Sequence, residues 1–167
     1  MRWERLIRST SPNGRESTLD RRDEEFVVDW VLGFSDSEIR IKYGIHMSTY
    51  KRRKALIASM VDPTIDVTAG RMKAVSRAVR GDLVELDAIR QPVFPADLTE
   101  TDKELLVTMV ECRDPVEVAD ELGLENRRVV LGRWRDLSIR IGANGDNSTL
   151  QAVAMLTKFA MERPQKR

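Results

Sequence analysis

The sequence predicts an all-α protein made of two tandem four-helix modules joined by a linker. Residues 19–44 align without a gap on residues 98–123, and seven of these 26 pairs are identical. The apolar share of 41% is enough for packed helices but leaves little for a large buried sheet. We therefore divide the chain into a basic N-terminal arm (1–18), a first module (19–80), a linker (81–97), a second module (98–162) and a basic tail (163–167).

Each copy is expected to open with a helix. Asp20 and Thr99 are the expected N-caps, because short polar side chains at that position accept hydrogen bonds from the free amides of the first turn. Apolar residues then recur at helical spacing on the side expected to face the core. They are Val27, Trp30, Val31 and Phe34 in the first copy, and Leu105, Leu106, Met109 and Val110 in the second.

A second helix follows at once in each copy. Residues 35–38, with the sequence Ser-Asp-Ser-Glu, have the pattern of a capping box. Asp114 has the same role in the second copy, and Pro115 fits the first helical position because its missing amide costs nothing there. Both helices are expected to end at a glycine, Gly44 or Gly123, which adopts the left-handed turn conformation easily.

A third helix restarts after a short turn, at Met47 or Ser48 in the first copy. Helix, short glycine turn and helix is the helix-turn-helix arrangement, whose second helix is free to enter a DNA groove. A weaker fourth helix is expected over residues 69–79 and 149–161, and the linker has one short helical patch over residues 83–89. The third helices carry the apolar stripes Tyr50, Ile57 and Val61, and, one residue later in register, Val130, Trp134, Leu137 and Ile141.

Three motifs in the first copy carry a family resemblance. They are Leu-Gly-Phe-Ser-Asp-Ser-Glu-Ile over residues 32–39, Gly-Ile at 44–45 and Thr-Tyr-Lys at 49–51. In this order they resemble the DNA-binding domain of LuxR-type (GerE-type) transcription regulators, and the second copy matches that pattern at residues 98–99, 117–119, 122–124, 140–143 and 151–154. The resemblance implies two tandem, divergent LuxR-like modules.

The resemblance also implies a sequence-specific DNA-binding role in transcription regulation. The recognition positions of the family fall on Thr49, Lys51, Arg52 and Arg53, and the aligned positions of the second copy lack the lysine of the family. Those aligned positions are Arg128, Val130, Leu131 and Gly132.

Charge is distributed unequally between the copies, although the whole chain has a net charge of +1. Residues 19–61 carry eight cations and seven anions, whereas residues 98–142 carry seven cations and ten anions. A run of four cations on the third helix of the first copy is suited to phosphate or guanine contact, although such a run also fits a solvated helix face. The predicted DNA-binding residues are Ser48, Thr49, Lys51, Arg52, Arg53 and Lys54, with Arg127, Arg128 and Arg135 from the second copy.

The partner of the second module stays open at this point. It either pairs with the first module or with a second subunit, contacts double-stranded DNA, or binds RNA polymerase or another regulator. Two further functions compete with transcription regulation: a protein-interaction adaptor or anti-activator, and a DNA-bending accessory factor of recombination or excision. The arm either docks on a neighbour through Trp3, Leu6 and Ile7 or reaches DNA through Arg2, Arg5 and Arg8.

Several classes of protein are not expected. The chain has one cysteine and one histidine, so we predict no disulfide framework, no metal site, no cofactor and no catalytic activity. Cys112 is expected to be a buried thiol, and Trp30 and Trp134 are expected to be core residues. His46 is expected to be a solvated turn residue, with a helix cap or a phosphate contact as the alternative. With neither a signal peptide nor an apolar membrane span, we expect a cytoplasmic, nucleoid-associated protein.

Overall fold

The computed structural model describes residues 21–163, and within this range every regular element is helical. The all-α prediction is therefore confirmed. Asp20, residues 1–18 and residues 164–167 lie outside the described part of the chain. The eight α-helices are α1 (Arg21–Val31), α2 (Asp36–Tyr43), α3 (Met47–Val61), α4 (Val67–Arg80), α5 (Glu100–Val110), α6 (Pro115–Leu122), α7 (Arg127–Arg140) and α8 (Ser148–Glu162).

The helix bounds follow the sequence repeat. The helices α1 and α2 begin and end 79 residues before α5 and α6. The turn between α6 and α7 is then one residue longer than the turn between α2 and α3, so α7 begins 80 residues after α3. This extra residue accounts for the shifted apolar stripe of the second copy.

The predicted helix caps that lie within residues 21–163 are confirmed. Ser35 and Glu38 form a complete capping box, and Thr99 forms another with the side chain of Asp102. Asp114 caps α6, with proline in the first turn. The helices α2 and α6 both end at a left-handed glycine. One core prediction was wrong: Phe34 lies beyond the end of α1 and is 37% exposed.

The fourth helix of each half lies at the centre of the molecule. The helix α4 packs against α1, α3 and α8, while α8 also packs against α1, α5 and α7. Every residue from Leu150 to Lys158 is buried, so α8 has almost no solvent face along its middle. Buried residues of both halves, including Trp30 and Trp134 at 0% exposure, belong to one continuous hydrophobic core.

The halves also approach closely where α1 turns into α2. Gly33 has a φ of +89°, and a Cβ placed on it would lie 2.6 Å from Nε2 of Gln151 in α8. The Gln151 side chain is held there, because its Oε1 accepts a hydrogen bond from the amide of Asn144 at 2.9 Å. A glycine at residue 33 therefore satisfies both the backbone conformation and the packing against α8.

Residues 81–97 join the halves and are anchored to the second half. A 3₁₀ helix at Leu86–Ala88 lies within the predicted helical patch. Nζ of Lys158, a residue with 5% exposure, donates to the carbonyls of Leu86 and Ile89 at 2.8 Å each. Further along, the rings of Phe94 and Phe159 meet edge to face with centroids 5.1 Å apart. These contacts hold the segment against α8.

No helix within residues 21–163 is both long enough and apolar enough to cross a membrane.

Candidate nucleic-acid interface

The third helix, α3, has one buried face and one exposed face. Tyr50 and Ile57 are fully buried, as the predicted stripe requires, and Val61 is 6% exposed. The N-terminal half of the helix presents polar and basic side chains to solvent. These exposed residues are Ser48, Thr49, Lys51 and Arg52, followed along the same side by Ala55 and Ser59.

Only half of the predicted basic cluster faces solvent. Arg53 pairs with Asp23, a residue of α1 with 1% exposure, through Nη1 and Oδ2 at 3.3 Å. Lys54 pairs with Asp36 of α2, with Nζ 3.0 Å from Oδ2. Among the described residues, Lys51 and Arg52 have no ion-pair partner.

Helix geometry explains this division. At 100° per residue, residues 53 and 54 fall about 60° and 40° on either side of Tyr50, at the edges of the buried face. Residue 52 falls about 160° from Tyr50 and points away from the core. Four consecutive cations are distributed over about 300° of the helix circumference, so they cannot share one face.

His46 is exposed in the turn, as predicted, and it also has the alternative role of N-cap of α3. Its Nδ1 accepts a hydrogen bond from the amide of Ser48 at 3.3 Å and lies 3.0 Å from the Ser48 Oγ. The imidazole therefore satisfies a free amide of the first turn of α3, as Asn or Asp would. The same contact orients the Ser48 hydroxyl at the start of the exposed face.

Asp36, in the first turn of α2, is the centre of a polar cluster that sequence reasoning missed. Its carboxylate accepts hydrogen bonds from the Tyr50 hydroxyl at 2.7 Å and from Nη2 of Arg71 at 3.2 Å. The Tyr50 hydroxyl in turn accepts from the Trp30 indole at 2.9 Å, and the Arg71 guanidinium lies over the Trp30 ring. Together with Lys54, the cluster connects all four helices of the first half.

The protonation of Asp36 reflects these partners. Partial burial raises the pKa of its carboxyl group, but the charge of Arg71 and the hydrogen bonds from Asn147, Tyr50 and Lys54 outweigh that effect. The net result is a pKa lowered to about 2. Asp36 is therefore an anion at neutral pH, and its charge compensates the inward-facing cations of α3 and α4.

The second half contributes to this cluster through Asn147. This residue precedes α8 and is 7% exposed. Its Nδ2 donates to the carbonyl of Phe34 and to Oδ1 of Asp36, both at 2.9 Å. A side chain of the second half thus binds both the backbone just before α2 and the first turn of α2, next to the helix that presents the exposed basic face.

In the second half, the predicted basic residues have different environments. Arg127 is paired with Asp66, the N-cap of α4, through two hydrogen bonds of 3.0 Å each. Arg128 and Arg135 are exposed, and neither has an ion-pair partner among the described residues. The Arg127 pair brings the start of α7 next to the loop between α3 and α4.

The burial pattern corrects the alignment of the third helices. Buried positions 50, 57, 58 and 61 of α3 match 130, 137, 138 and 141 at an offset of 80 residues. The offset of 79 residues, which holds for the first two helices of each half, does not hold for the third, because the turn before α7 has one extra residue. The positions that match Thr49, Lys51, Arg52 and Arg53 are therefore Val129, Leu131, Gly132 and Arg133.

Carboxylates cover the outer faces of α5 and α6. Glu104, Val107 and Glu111 follow one another at helical spacing on the exposed side of α5, and Val107 is 53% exposed. On α6, Val116 is 51% exposed and lies beside Glu117. This region differs in charge and polarity from the exposed face of α3.

The expectation for Cys112 is confirmed. The residue is 4% exposed, and burial raises the pKa of its thiol to about 11. The thiol is therefore protonated at neutral pH and has little nucleophilic character.

Comparison of the chain with protein-family models, with curated proteins and with solved structures found no match in any of the three.

Proposed function

We propose that the chain is a sequence-specific, double-stranded DNA-binding regulator of transcription, in which α2, the three-residue turn and α3 act as a helix-turn-helix. One observation carries the proposal: Ser48, Thr49, Lys51 and Arg52 form the exposed side of α3, directly after that turn. Hydroxyl, ammonium and guanidinium groups at the start of a recognition helix are the groups that bind phosphates and base edges. The resemblance to LuxR-type domains supports the same assignment.

The supporting contacts suit this role. The buried side of α3 is fixed by Tyr50, and its flanks are fixed by the ion pairs of Arg53 and Lys54. A helix held on three sides keeps its remaining side in a constant position, which lowers the entropic cost of binding. The cations that face inward thereby orient the two that face outward.

Binding affinity of a double variant, Lys51→Ala with Arg52→Ala, tests the proposal. DNA sequences selected from a random pool by the unmodified protein serve as ligand, and fluorescence anisotropy gives the Kd at several salt concentrations. We expect a loss of at least tenfold and a salt slope shallower by about one for each phosphate contact removed.

A matched control removes the same charge elsewhere. Arg80 and Arg90 are exposed and lie outside α3, so Arg80→Ala with Arg90→Ala should change the affinity little. If both double variants lost the same affinity, the effect would be one of net charge and not of the position of the cations on α3. Failure of the unmodified protein to enrich any DNA sequence would overturn the proposal.

A protein-binding adaptor is the second candidate function, and the surface of α5 and α6 favours it. Exposed valines surrounded by carboxylates, as at Val107 and Val116, suit a basic partner with an apolar side better than they suit DNA. A Glu104→Lys with Glu117→Lys variant separates the candidates, since it should leave DNA affinity intact or improve it but abolish regulation through such a partner.

A further inference from the structure

The outer face of α7 combines two arginines with an unexplained glycine. Arg128, Gly132 and Arg135 are all exposed, and their spacing of four and then three residues places them on one side of the helix. The two arginines are about 10.5 Å apart along the helix axis. The one acidic residue of α7, Asp136, lies at the edge of this side, about 40° from Gly132, where it lines a cleft with Asp102, Arg133 and Arg140.

Packing within the protein gives no reason for glycine at residue 132. A Cβ placed there would meet no atom within 4 Å, and the backbone is ordinary α-helix. Glycine inside a helix destabilises it relative to alanine, because the unfolded chain has more freedom to lose. A glycine with empty space above it is the arrangement that lets an external backbone approach a helix closely.

The corresponding positions of α3 form its own exposed face. At the offset of 80 residues, Arg128, Gly132 and Arg135 match Ser48, Arg52 and Ala55. At these three positions both faces alternate between small residues and cations, but the cations occupy different positions, and the next position of each face is Ser59 in α3 and the exposed Ile139 in α7. The α7 face lacks polar groups that contact base edges, since Val129 and Leu131 replace Thr49 and Lys51.

We infer that this face of α7 is a second DNA-contact surface, which binds the sugar-phosphate backbone of the duplex read by α3. The inference rests on the proposed function and assigns the second half its ligand. Guanidinium groups supply the phosphate contacts, and Gly132 lets the strand approach between them. Arg127 has a different role, because its pair with Asp66 fixes α7 beside the loop that follows α3.

In this arrangement a single duplex would contact both faces. The α3 helix has 15 residues and is about 22 Å long, and the start of α7 contacts Asp66, five residues beyond the last residue of α3. A distance of this size corresponds to roughly six base pairs of B-DNA at about 3.4 Å each. The α7 contact therefore falls on phosphates flanking the sequence read by α3, and it adds affinity without adding sequence preference.

The inference is tested by measuring the DNA affinity of three single variants at several salt concentrations. Arg128→Gln and Arg135→Gln change the proposed surface, and Arg133→Gln is the matched control. All three remove one positive charge from α7, but Arg133 lines the cleft together with Asp102, Asp136 and Arg140. We expect the first two to weaken binding several-fold and to make the salt slope shallower by about 0.9 each. The selected DNA motif should not change, and hydroxyl-radical footprints should lose protection only outside the motif.

The Gly132→Ala variant separates binding from folding. We expect its thermal midpoint to rise by roughly 2–4 °C while its DNA affinity falls, because the methyl group keeps the strand away from the helix. The inference would be overturned if all three arginine variants had equal effects. It would also be overturned if Gly132→Ala and both outer arginine variants kept full affinity. If Lys51→Ala with Arg52→Ala still abolishes binding in that case, the proposed function stands without it. Absence of any DNA binding by the unmodified protein overturns both.

Discussion

Asn147 donates a hydrogen bond to Asp36 across the two halves of the chain, with Nδ2 2.9 Å from Oδ1. The residues are 111 positions apart in sequence, and the acceptor lies in the first turn of α2. The orientation of α2, and of the exposed side of α3 next to it, therefore depends on the second half. Removing this contact should disturb the first half without touching its surface.

We expect Asn147→Ala to lower the free energy of unfolding by about 1–3 kcal/mol, because it removes the side-chain donor to the Phe34 carbonyl and one of the hydrogen bonds to Asp36. Hydrogen exchange should become faster in the first turn of α2. Asn126→Ala is the matched control: it removes the exposed N-cap of α7, which costs about 1 kcal/mol but involves no contact between the halves. Unchanged exchange in α2 of the Asn147 variant would contradict the assigned role.

Acid should weaken the Asp36 cluster in a defined pH range. The pKa of this carboxyl group is lowered from 3.8 to about 2 in the folded protein, so its ionisation stabilises the fold above pH 4. That stabilisation, on the order of 2 kcal/mol, is lost as the pH falls from about 4 to 2. Chemical denaturation of the unmodified protein and of Asp36→Asn should show a difference that shrinks over this range. A difference independent of pH would exclude the ionised cluster.

Two glycine substitutions distinguish backbone strain from packing. Gly44→Ala should cost about 1–2 kcal/mol, because its φ is +61° and nothing lies within 4 Å of the added methyl group. Gly33→Ala should cost more, since the methyl group also collides with the Gln151 side chain. Adding Gln151→Ala to Gly33→Ala removes the side chain that collides, so the double variant should recover part of the additional cost in stability. Equal costs for the two single variants would show that α8 yields at this contact.

The pair of Arg127 with Asp66 should act in folding more than in binding. A double-mutant cycle of Arg127→Ala and Asp66→Ala should give a coupling of about 1 kcal/mol that decreases with salt, since Arg127 is 41% exposed. The pKa of Asp66 is lowered because the hydrogen bonds and charge of Arg127 outweigh partial burial. The salt slope of DNA binding should change less in Arg127→Ala than in Arg128→Gln. A larger change would place Arg127 at the DNA.

Local signals were sufficient to predict much of this fold. The capping boxes, the terminal glycines and the stripes through Tyr50 and Trp134 depend on residues a few positions apart. The central position of α8 could not be recognised this way. Its burial on nearly all sides results from packing against four other helices, which the spacing of its own apolar residues does not reveal.

The sequence places the run of cations on α3, but the run alone does not reveal which of these side chains face solvent and which form ion pairs. The angle between Tyr50 and residues 53 and 54 was available from the sequence and would have assigned both cations to the edges of the buried face. The partners Asp23 and Asp36 could not be assigned that way, because they depend on how separate helices pack. The same limit applies to Asn147 and to the Arg127 contact with Asp66.

Internal repeats are often treated as units that can be excised, multiplied or exchanged one at a time. The contact between α4 and α8 removes that freedom, because the last helix of each copy packs against the other copy in one shared core. A fragment ending at residue 80 would leave the α4 side of this seam open to water. Divergence of the copies must therefore proceed by compensating substitutions on both sides of the seam, while outward faces such as those of α3 and α7 remain free to specialise.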